Sequence, residues 1–225
     1  MNPDIMATPL EEITINAIER LQRHSRFKEP YVSYESKRSK LHIGITPSGE
    51  NLNLGPYDRA ILSSFFKEKT ITKTVFHDLA PISDYLMDVC GGMPRLFYNR
   101  CVTEVAKKIP IWSMKNKIYK HLGVGIQDLR TTIIAPNVWI DYIYPQLITS
   151  IGPNTFIGED AYLATHAAFT DRFEIAELTI GANCTIGGAA MVGGCRIGDG
   201  AEIVPGALVT YDVPAGQKYV GLKLK

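Results

Sequence analysis

Cysteine, net charge and long apolar runs are all scarce in this sequence, and each shortage excludes a class of protein. The 225 residues include four cysteines, none in a C-x-x-C pair, which excludes zinc ribbons and dithiol redox motifs. With 24 basic and 23 acidic residues the net charge is +1, which does not indicate a nucleic-acid partner. No stretch resembles a signal peptide or an integral membrane segment. We therefore expect a cytoplasmic protein.

Histidine is also scarce, and this argues against a metal enzyme. There are five histidines, and His166 is the only one that follows His121. Catalytic zinc sites take several imidazole, thiolate or carboxylate ligands around one ion. The sequence therefore predicts no metal site, and it directs attention to a single imidazole in the C-terminal half.

The first 122 residues show mixed helix and strand patterns. Apolar spacing predicts helices over 9–23 and 56–68 and strands over 41–46 and 72–76. Two further helices are predicted over 94–107 and 112–122, interrupted at Pro110. We expect an N-terminal extension (1–92), a helical linker (93–122), a catalytic domain (123–217) and a tail (218–225). The basic, amphipathic stretch 107–122 predicts a packing helix, with contact to a membrane surface as the alternative.

One N-terminal loop leaves two interpretations open. The segment LHIGITPSGENLNLG, residues 41–55, places glycines between a predicted strand and a predicted helix, where a nucleotide phosphate can bind. It lacks a complete G-x-G-x-x-G or Walker pattern. The default expectation is a structural or acceptor-recognition cap.

From residue 123 onward the chain repeats itself every six residues. Apolar residues recur at 134, 140, 151, 157, 163, 180, 186, 191, 197, 203 and 209. The fourth residue after most of these is small or β-branched, which explains Cys184 and Cys195 as core residues rather than reactive thiols. Such units bury their apolar residues only by stacking into a solenoid. Turns are expected to use left-handed backbone at six positions: Asn137, Asn154, Asn183, Gly194, Gly200 and Gly206.

The period is broken in three places, and function in solenoids concentrates at such breaks. Eleven residues separate Ile140 from Ile151, seventeen separate Leu163 from Ile180, and five separate Ile186 from Met191. With three units per coil, both insertions leave from one column. Asp141 and His166 are therefore expected near one edge of the prism, neither at an inward position of its unit. Gly193 and Gly194 lie one coil further on, and Thr210 and Tyr211 a further coil on.

The repeats resemble the left-handed β-helix acyltransferases of the hexapeptide-repeat group. The matching text is VWIDYIYPQLITSIGPNTFIGEDAYLATH, LTIGANCTIGG and RIGDGAEIVPGALVTYDVPAG, within residues 138–217. The implied fold class is mainly β, a left-handed parallel β-helix with an N-terminal α/β or helical extension. The resemblance implies a homotrimer with sites between subunits, acetyl-CoA as co-substrate and His166 as general base. It also implies that the Gly188 N–H meets the oxyanion.

The implied chemistry is an O- or N-acetyl transfer to a sugar or a similar small hydroxyl or amine acceptor. A neutral imidazole can take the acceptor's proton near neutral pH. Asp141, Glu174 or Glu177 could fix its tautomer or bind the acceptor. We predict His166, Asp141 and Glu177 as the catalytic set, although glutamates in a long loop are ordinarily solvated.

Three departures from the family pattern favour an alternative function. Pro205 stands where relatives offer an N–H to CoA, Tyr211 replaces a common lysine, and Thr185 replaces a tryptophan found in some members. Lys218, or another lysine of the tail, would have to supply the missing charge. The predicted cofactor-binding set is Gly188, Gly193, Gly194, Thr210, Tyr211 and Lys218. The alternative is a non-catalytic trimeric scaffold or binding protein.

Overall fold

The computed structural model describes residues 8–21, 31–44, 59–77 and 92–221. Contacts divide the chain into two units. The first contains the described residues up to Met93 together with Ala167–Ile175. The second contains Pro94–His166 and the chain from Ala176 onward. The phosphate-loop hypothesis concerns mainly residues 45–58, which lie outside the described residues.

Over the described residues, the first unit consists of a five-stranded sheet and two helices. Its elements are α1 (Pro9–Leu21), β1 (Tyr31–Glu35), a 3-10 turn (Ser36–Arg38), β2 (Lys40–Gly44), α2 (Arg59–Glu68) and β3 (Lys73–His77). β1 pairs antiparallel with β2, and β2 pairs parallel with β3 across the α2 connection. The predicted helices and strands at these places are confirmed within the described residues.

Local chemistry explains how α1 begins and where it packs. The Thr8 hydroxyl accepts a hydrogen bond from the Glu11 N–H (3.2 Å), and acidic residues occupy the first turn. The inner face of the helix buries Leu10, Ile15 and Ile18. The sheet of this unit ends in two strands that come from the long insertion, β9 (His166–Ala168) and β10 (Arg172–Ala176), in the order β1-β2-β3-β10-β9.

The second unit begins with a helical hairpin, as the sequence predicts. It consists of α3 (Met93–Lys108) and α4 (Trp112–His121). The helices are separated at Pro110, which cannot donate an N–H and disfavours helical backbone before it. Among the residues that the structure describes, no helix is both long and apolar enough to cross a bilayer.

The rest of the second unit is a parallel β-helix of very short strands. They are β4 (Ile133–Ile134), β5 (Trp139–Ile140), β6 (Ile148–Ile151), β7 (Phe156–Ile157), β8 (Tyr162–Leu163), β11 (Leu178–Ile180), β12 (Thr185–Ile186), β13 (Met191–Val192), β14 (Arg196–Ile197), β15 (Glu202–Ile203), β16 (Leu208–Val209) and β17 (Lys218–Tyr219). They stack into three faces: face one (β6, β11, β14), face two (β4, β7, β12, β15, β17) and face three (β5, β8, β13, β16). Three faces with six-residue steps define the predicted left-handed parallel β-helix, which is confirmed.

The interior of the β-helix is a column of aliphatic side chains. Ile157, Ile186 and Ile203 lie directly above one another on face two, and all are fully buried. Burying each such side chain contributes about 1.5–3 kcal/mol. The small residues predicted beside them, including Ala161, Cys184 and Cys195, are also buried. The interpretation of these two cysteines as core residues is confirmed.

Two details of the predicted repeat are wrong. Val192 rather than Met191 faces inward, since it pairs with Leu163 and Val209 while the Met191 side chain is exposed. The shortened step therefore falls between Val192 and Ile197, where a turn follows face three. The sequence misplaced it because both residues are apolar.

The second error concerns the turns. Left-handed backbone occurs as predicted at the three asparagines, with φ between 56° and 58°, and at Gly200 and Gly206. Gly194 does not use it. A Cβ at Gly194 would instead collide with the Ala176 side chain, so this glycine permits close packing. Ala189 and Asp160 adopt the left-handed conformation at φ values of 54° and 59°, which the sequence does not reveal.

Candidate active site

Both insertions leave the β-helix at the same edge, the one that follows face three. We call this the interrupted edge. Successive coils are joined there by backbone hydrogen bonds from Asp141 N to Leu163 O (3.0 Å), Ala164 N to Val192 O (2.9 Å) and Gly193 N to Val209 O (2.8 Å). The predicted convergence on one edge thus holds for Asp141, Gly193 and the segment that begins at Thr210.

Asp141 is the first residue of the short insertion, and its carboxylate is completely buried. The chain turns sharply behind it, through a 3-10 turn at Pro145–Leu147. One oxygen, Oδ1, accepts hydrogen bonds from the backbone N–H groups of Ile143 (2.8 Å) and Tyr144 (3.4 Å). This is the geometry of an Asx turn, in which an aspartate folds the chain around its own side chain. Asp141 therefore caps the loop that follows it.

The other carboxylate oxygen of Asp141 reaches across to the next coil. Oδ2 accepts a hydrogen bond from the Thr165 N–H (2.8 Å) and one from the Thr165 hydroxyl (2.7 Å). It also lies 2.6 Å from His166 Nδ1. The same side chain that shapes the short insertion thus holds the start of the long one.

The contact with Asp141 determines which nitrogen of His166 carries the proton. A carboxylate accepts but cannot donate, so Nδ1 carries the hydrogen in this pair. In the neutral ring the lone pair is then on Nε2. The His166 side chain is 16% exposed, compared with 0% for Asp141. The imidazole is accordingly oriented by a buried partner while part of it reaches the surface.

The electrostatics of this pair favour an ionised Asp141. Burial by itself raises the pKa of the carboxyl, but the hydrogen bond and charge of His166 and the two bonds from Thr165 outweigh it. The pKa therefore lies below its usual range. Asp141 remains a carboxylate at neutral pH. It can then stabilise positive charge that develops on the ring when His166 takes a proton.

An aromatic cluster lies on face three, on the strands that lead to the interrupted edge. The Trp139 and Tyr162 rings are stacked with centroids 3.8 Å apart, and Tyr142 packs edge-on against Trp139 at 5.6 Å. The Arg100 guanidinium lies 5.7 Å from the centre of the Tyr142 ring. Burial and the nearby Asp141 charge raise the pKa of Tyr162 to about 12, so its hydroxyl stays protonated. These rings form an uncharged surface next to the Asp141 backbone.

The glutamates of the long insertion are placed differently from Asp141. Glu174 lies on β10 in the first unit, where it is buried and forms ion pairs with Lys73 and Arg172. The expectation that it is a solvated loop residue is wrong, because the insertion is a β-hairpin that joins a sheet. Its pKa is lowered, since the hydrogen bonds from these two cations exceed the effect of burial.

Glu177 returns towards the site but does not join the pair. The Ala176 N–H donates to Thr165 O (2.8 Å), so the insertion ends beside the residue that precedes His166. Glu177 is half-buried, and burial raises its pKa against the opposing charge of Arg196. No bond joins it to His166 among the contacts described, so its catalytic role stays a prediction.

The residues predicted to bind the co-substrate are spread over two edges and one face. Gly193 and Thr210 lie on the interrupted edge, and Tyr211 follows as an exposed side chain. Gly188 follows β12, on the turn between faces two and three. Lys218 is on face two, where its ammonium donates to Glu202 (2.7 Å). Their roles towards a ligand remain predictions.

The sequence interpretation missed Thr165. This residue is buried, supplies two of the hydrogen bonds to Asp141, and its hydroxyl also lies 3.1 Å from Tyr144 O. It directly precedes His166 and sits at a point where the repeat predicts a turn. A threonine directly before the candidate base was a signal in the sequence, because its hydroxyl and N–H can both bind a nearby carboxylate.

Within the described part of the chain, no three His, Cys, Asp or Glu side chains are grouped so that they could hold a metal ion. The polar groups bonded to the Asp141 carboxylate are backbone N–H groups, the Thr165 hydroxyl and His166 Nδ1. The chemistry that this arrangement supports is proton transfer by an oriented imidazole.

Comparison with known proteins finds matches over part of the chain. No family model matches the sequence. Two curated Staphylococcus aureus proteins, each named "Putative acetyltransferase", from strains MSSA476 and MRSA252, are 39% and 38% identical over 74 residues. These residues are 33% of this chain and 45% of each relative. The chain thus spans less than half the length of the curated relatives that it matches.

Solved structures with the same type of repeat are more distant in sequence. A hexapeptide-repeat-containing acetyltransferase from Vibrio cholerae is 14% identical with a TM-score of 0.41, covering 54% of this chain and 82% of that one. The serine acetyltransferase of Neisseria gonorrhoeae, solved with serine, is 15% identical with a TM-score of 0.29, covering 98% and 84%.

The strand register itself establishes a parallel β-helix of six-residue repeats. Over 74 residues the chain is similar to curated proteins named as putative acetyltransferases.

Proposed function

We propose that the protein is an acyl-CoA-dependent acetyltransferase, with His166 as the general base and Asp141 as the residue that positions it. The observation that carries this proposal is the 2.6 Å contact between His166 Nδ1 and the buried Asp141 carboxylate. A histidine at the surface of a β-helix needs no such partner for stability. Five hydrogen-bond donors converge on this one carboxylate: the N–H groups of Ile143, Tyr144 and Thr165, the Thr165 hydroxyl and His166 Nδ1.

The reaction follows from the tautomer. His166 Nε2 takes the proton of an acceptor hydroxyl or amine as that oxygen or nitrogen attacks the thioester carbonyl carbon. A tetrahedral oxyanion forms and then collapses, breaking the carbon–sulfur bond. The imidazolium returns its proton to the departing CoA sulfur. Throughout, the Asp141 carboxylate stabilises the cationic ring, and base catalysis of this kind contributes about 10²–10⁴-fold.

The acceptor class comes from the resemblance and from the surroundings of the site. We infer a sugar or a similar small molecule with a hydroxyl or amine, because the Trp139–Tyr162–Tyr142 cluster offers uncharged aromatic surface beside the pair. The apolar CH faces of sugars pack on such rings. Glu177, with its raised pKa, is a second candidate for a proton-transferring group.

Co-substrate binding is proposed along the interrupted edge. Gly193 and Thr210 follow one another there over successive coils and present backbone groups and a hydroxyl. We retain Gly188 as the candidate oxyanion donor and Tyr211 and Lys218 as candidate contacts. We further propose that the protein acts as a homotrimer in the cytoplasm, with each site completed by a neighbouring subunit.

The test is a binding measurement followed by an activity screen. Calorimetric titration of the protein with acetyl-CoA should give saturable binding. Incubation with acetyl-CoA and a panel of sugars, amino sugars and simple alcohols should release free CoA thiol with at least one of them. A flat titration at millimolar acetyl-CoA would favour the non-catalytic scaffold. Acetyl-CoA binding without release of CoA thiol would support the co-substrate site and contradict the proposed acceptor class.

A further inference from the structure

The helical hairpin exposes a stripe of apolar side chains on its outer side, and the residues that it buries include polar ones as well as Ala106 and Tyr119. On α3 the buried positions include Asn99 and Thr103, while the outward stripe contains Phe97, Cys101 and Val105. These three residues are spaced four apart and so share one face of the helix. The Phe97 and Val105 side chains are 69% and 62% exposed.

The second helix also has apolar side chains on the solvent side. On α4 the buried residues are Lys115, Asn116 and Tyr119, while Met114 is 52% exposed. Both helices therefore carry exposed apolar side chains that packing on the β-helix does not use. An amphipathic helix places its apolar face towards whatever removes it from water.

The buried polar groups have a clear structural use. Lys115 Nζ donates to the carbonyls of Ile134 and Ala135 (3.3 and 2.8 Å), and Asn116 Nδ2 donates to Leu129 and Thr132 (3.2 and 2.8 Å). The first coil of a β-helix would otherwise leave backbone carbonyls unpaired at its open end. The inner face of the hairpin therefore caps the β-helix. Capping explains the polar face and leaves the outer, apolar face unexplained.

The positive charge of the hairpin indicates what kind of partner its outer face can bind. Residues 93–122 contain seven basic residues and a single acidic one, Glu104. Lys115 is buried and Lys107 pairs with Glu104, so the exposed cations that remain are Arg95, Arg100, Lys108, Lys117 and Lys120. The whole chain carries a net charge of only +1, so the remaining residues are net negative. A second copy docked face to face would place these cations against each other, because a two-fold contact uses the same patch on both subunits. Docking on an anionic surface avoids this repulsion between like charges.

We propose that the outer face of this hairpin docks on an anionic lipid surface. Phe97, Val105 and Met114 enter the boundary between headgroups and acyl chains, and the exposed lysines Lys108, Lys117 and Lys120 contact lipid phosphates. Interfacial helices bind through this combination of apolar area and basic charge. The proposal is independent of the acetyltransferase assignment, since it concerns attachment and not chemistry.

The experiment is flotation of the full chain with vesicles. Vesicles of phosphatidylcholine with phosphatidylglycerol are compared with vesicles of phosphatidylcholine alone. We expect binding to the mixed vesicles only. Raising the salt from about 0.1 M to 1 M shortens the screening length from about 10 Å to 3 Å and should release the protein. Equal binding to both compositions, or to neither, overturns the proposal.

Matched variants locate the surface. The double change Phe97→Ser with Val105→Ser should weaken vesicle binding about tenfold or more, because it removes two of the inserted side chains. The control is Phe156→Ser with Ile133→Ser, two exposed apolar residues on face two of the β-helix. The charge variant is Lys117→Glu with Lys120→Glu, and its control is Lys67→Glu with Lys69→Glu in the first unit. Retained binding in the hairpin variants, with folding verified by circular dichroism, overturns the assignment.

The competing occupant is another copy of the chain. Light scattering after size exclusion, without lipid, gives the mass of the wild type and of the Phe97→Ser, Val105→Ser variant. An unchanged mass is expected. A smaller mass for the variant would mean that the stripe joins subunits, and the lipid proposal would then be wrong.

Discussion

The regular coils of the β-helix and its interrupted edge are held by different kinds of contact. Inside the coils, each turn places an aliphatic side chain over the one before it, as with Ile157, Ile186 and Ile203. At the edge, the fully buried groups include a carboxylate and a threonine, Asp141 and Thr165. The coils gain stability from the hydrophobic effect, which is non-directional. The edge uses directional hydrogen bonds, which fix the orientation of His166.

This difference assigns separate tasks to neighbouring parts of one domain. A buried aliphatic residue contributes to stability and has no chemistry. A buried carboxylate is costly to desolvate and is retained where several donors satisfy it. Variants in the two regions should therefore separate stability from activity, and four of them test that separation.

The largest effect is expected for His166→Ala. Turnover in acetyl transfer should fall by about 10²–10⁴-fold, because the proposed general base is removed. The unfolding free energy should change little, since Asp141 keeps four other donors. Steady-state release of CoA thiol and a urea titration measure the two quantities. An unchanged rate would remove the base from the mechanism and leave the fold assignment intact.

The reciprocal variant lies inside the coils. Ile186→Ala should lower the unfolding free energy by about 2–5 kcal/mol, because it opens a cavity in a continuous core. The turnover of the folded fraction should match that of the wild type. Thr185→Ala, on the outward side of the same strand, is the matched control and should change stability by less than about 0.5 kcal/mol. If fully folded Ile186→Ala lost activity, the proposed separation between residues for stability and residues for activity would be wrong.

Asp141 connects the two regions, and its contribution depends on pH. Its folded pKa is lowered, so it stabilises the fold fully above the unfolded value of about 3.9 and progressively less as pH falls below that value. Urea titrations of the wild type and of Asp141→Asn should give a stability difference that shrinks in acid. Turnover of Asp141→Asn should also fall at neutral pH, because an amide cannot stabilise the imidazolium as a carboxylate does. A pH-independent stability difference would contradict a lowered pKa for the buried Asp141 carboxyl.

The β-helix could be predicted almost completely from the sequence, because the six-residue period repeats the same steric demand many times. The choice of the inward residue was wrong only at Met191 and Val192, where two apolar residues are adjacent. The common edge for Asp141 and His166 also followed from register. The position of the Asp141 carboxylate did not, since it depends on the Thr165 hydroxyl and on the turn at Tyr144.

The long insertion could not be predicted for a different reason. One of its strands, β10, pairs with β3 of the first unit, and strand pairing between distant segments leaves no periodic signal within either segment. Glu174 therefore looked like a loop residue, whereas its charge is balanced by Lys73, about a hundred residues earlier in the chain. Local patterns cannot identify such a partner.

The smallest effect is expected where the hairpin caps the coils. Lys115→Met keeps the aliphatic volume of the side chain and removes a buried ammonium, whose pKa is lowered by burial. The lost hydrogen bonds to Ile134 and Ala135 and the relieved desolvation oppose each other. The net change in unfolding free energy should be within about 1 kcal/mol, whereas Lys115→Ala, which also leaves a cavity, should cost about 2 kcal/mol or more. Urea midpoints of both variants measure this. A large loss in Lys115→Met would mean that the ammonium itself holds the end of the β-helix, so that directional polar contacts secure this end of the coils as they do the interrupted edge.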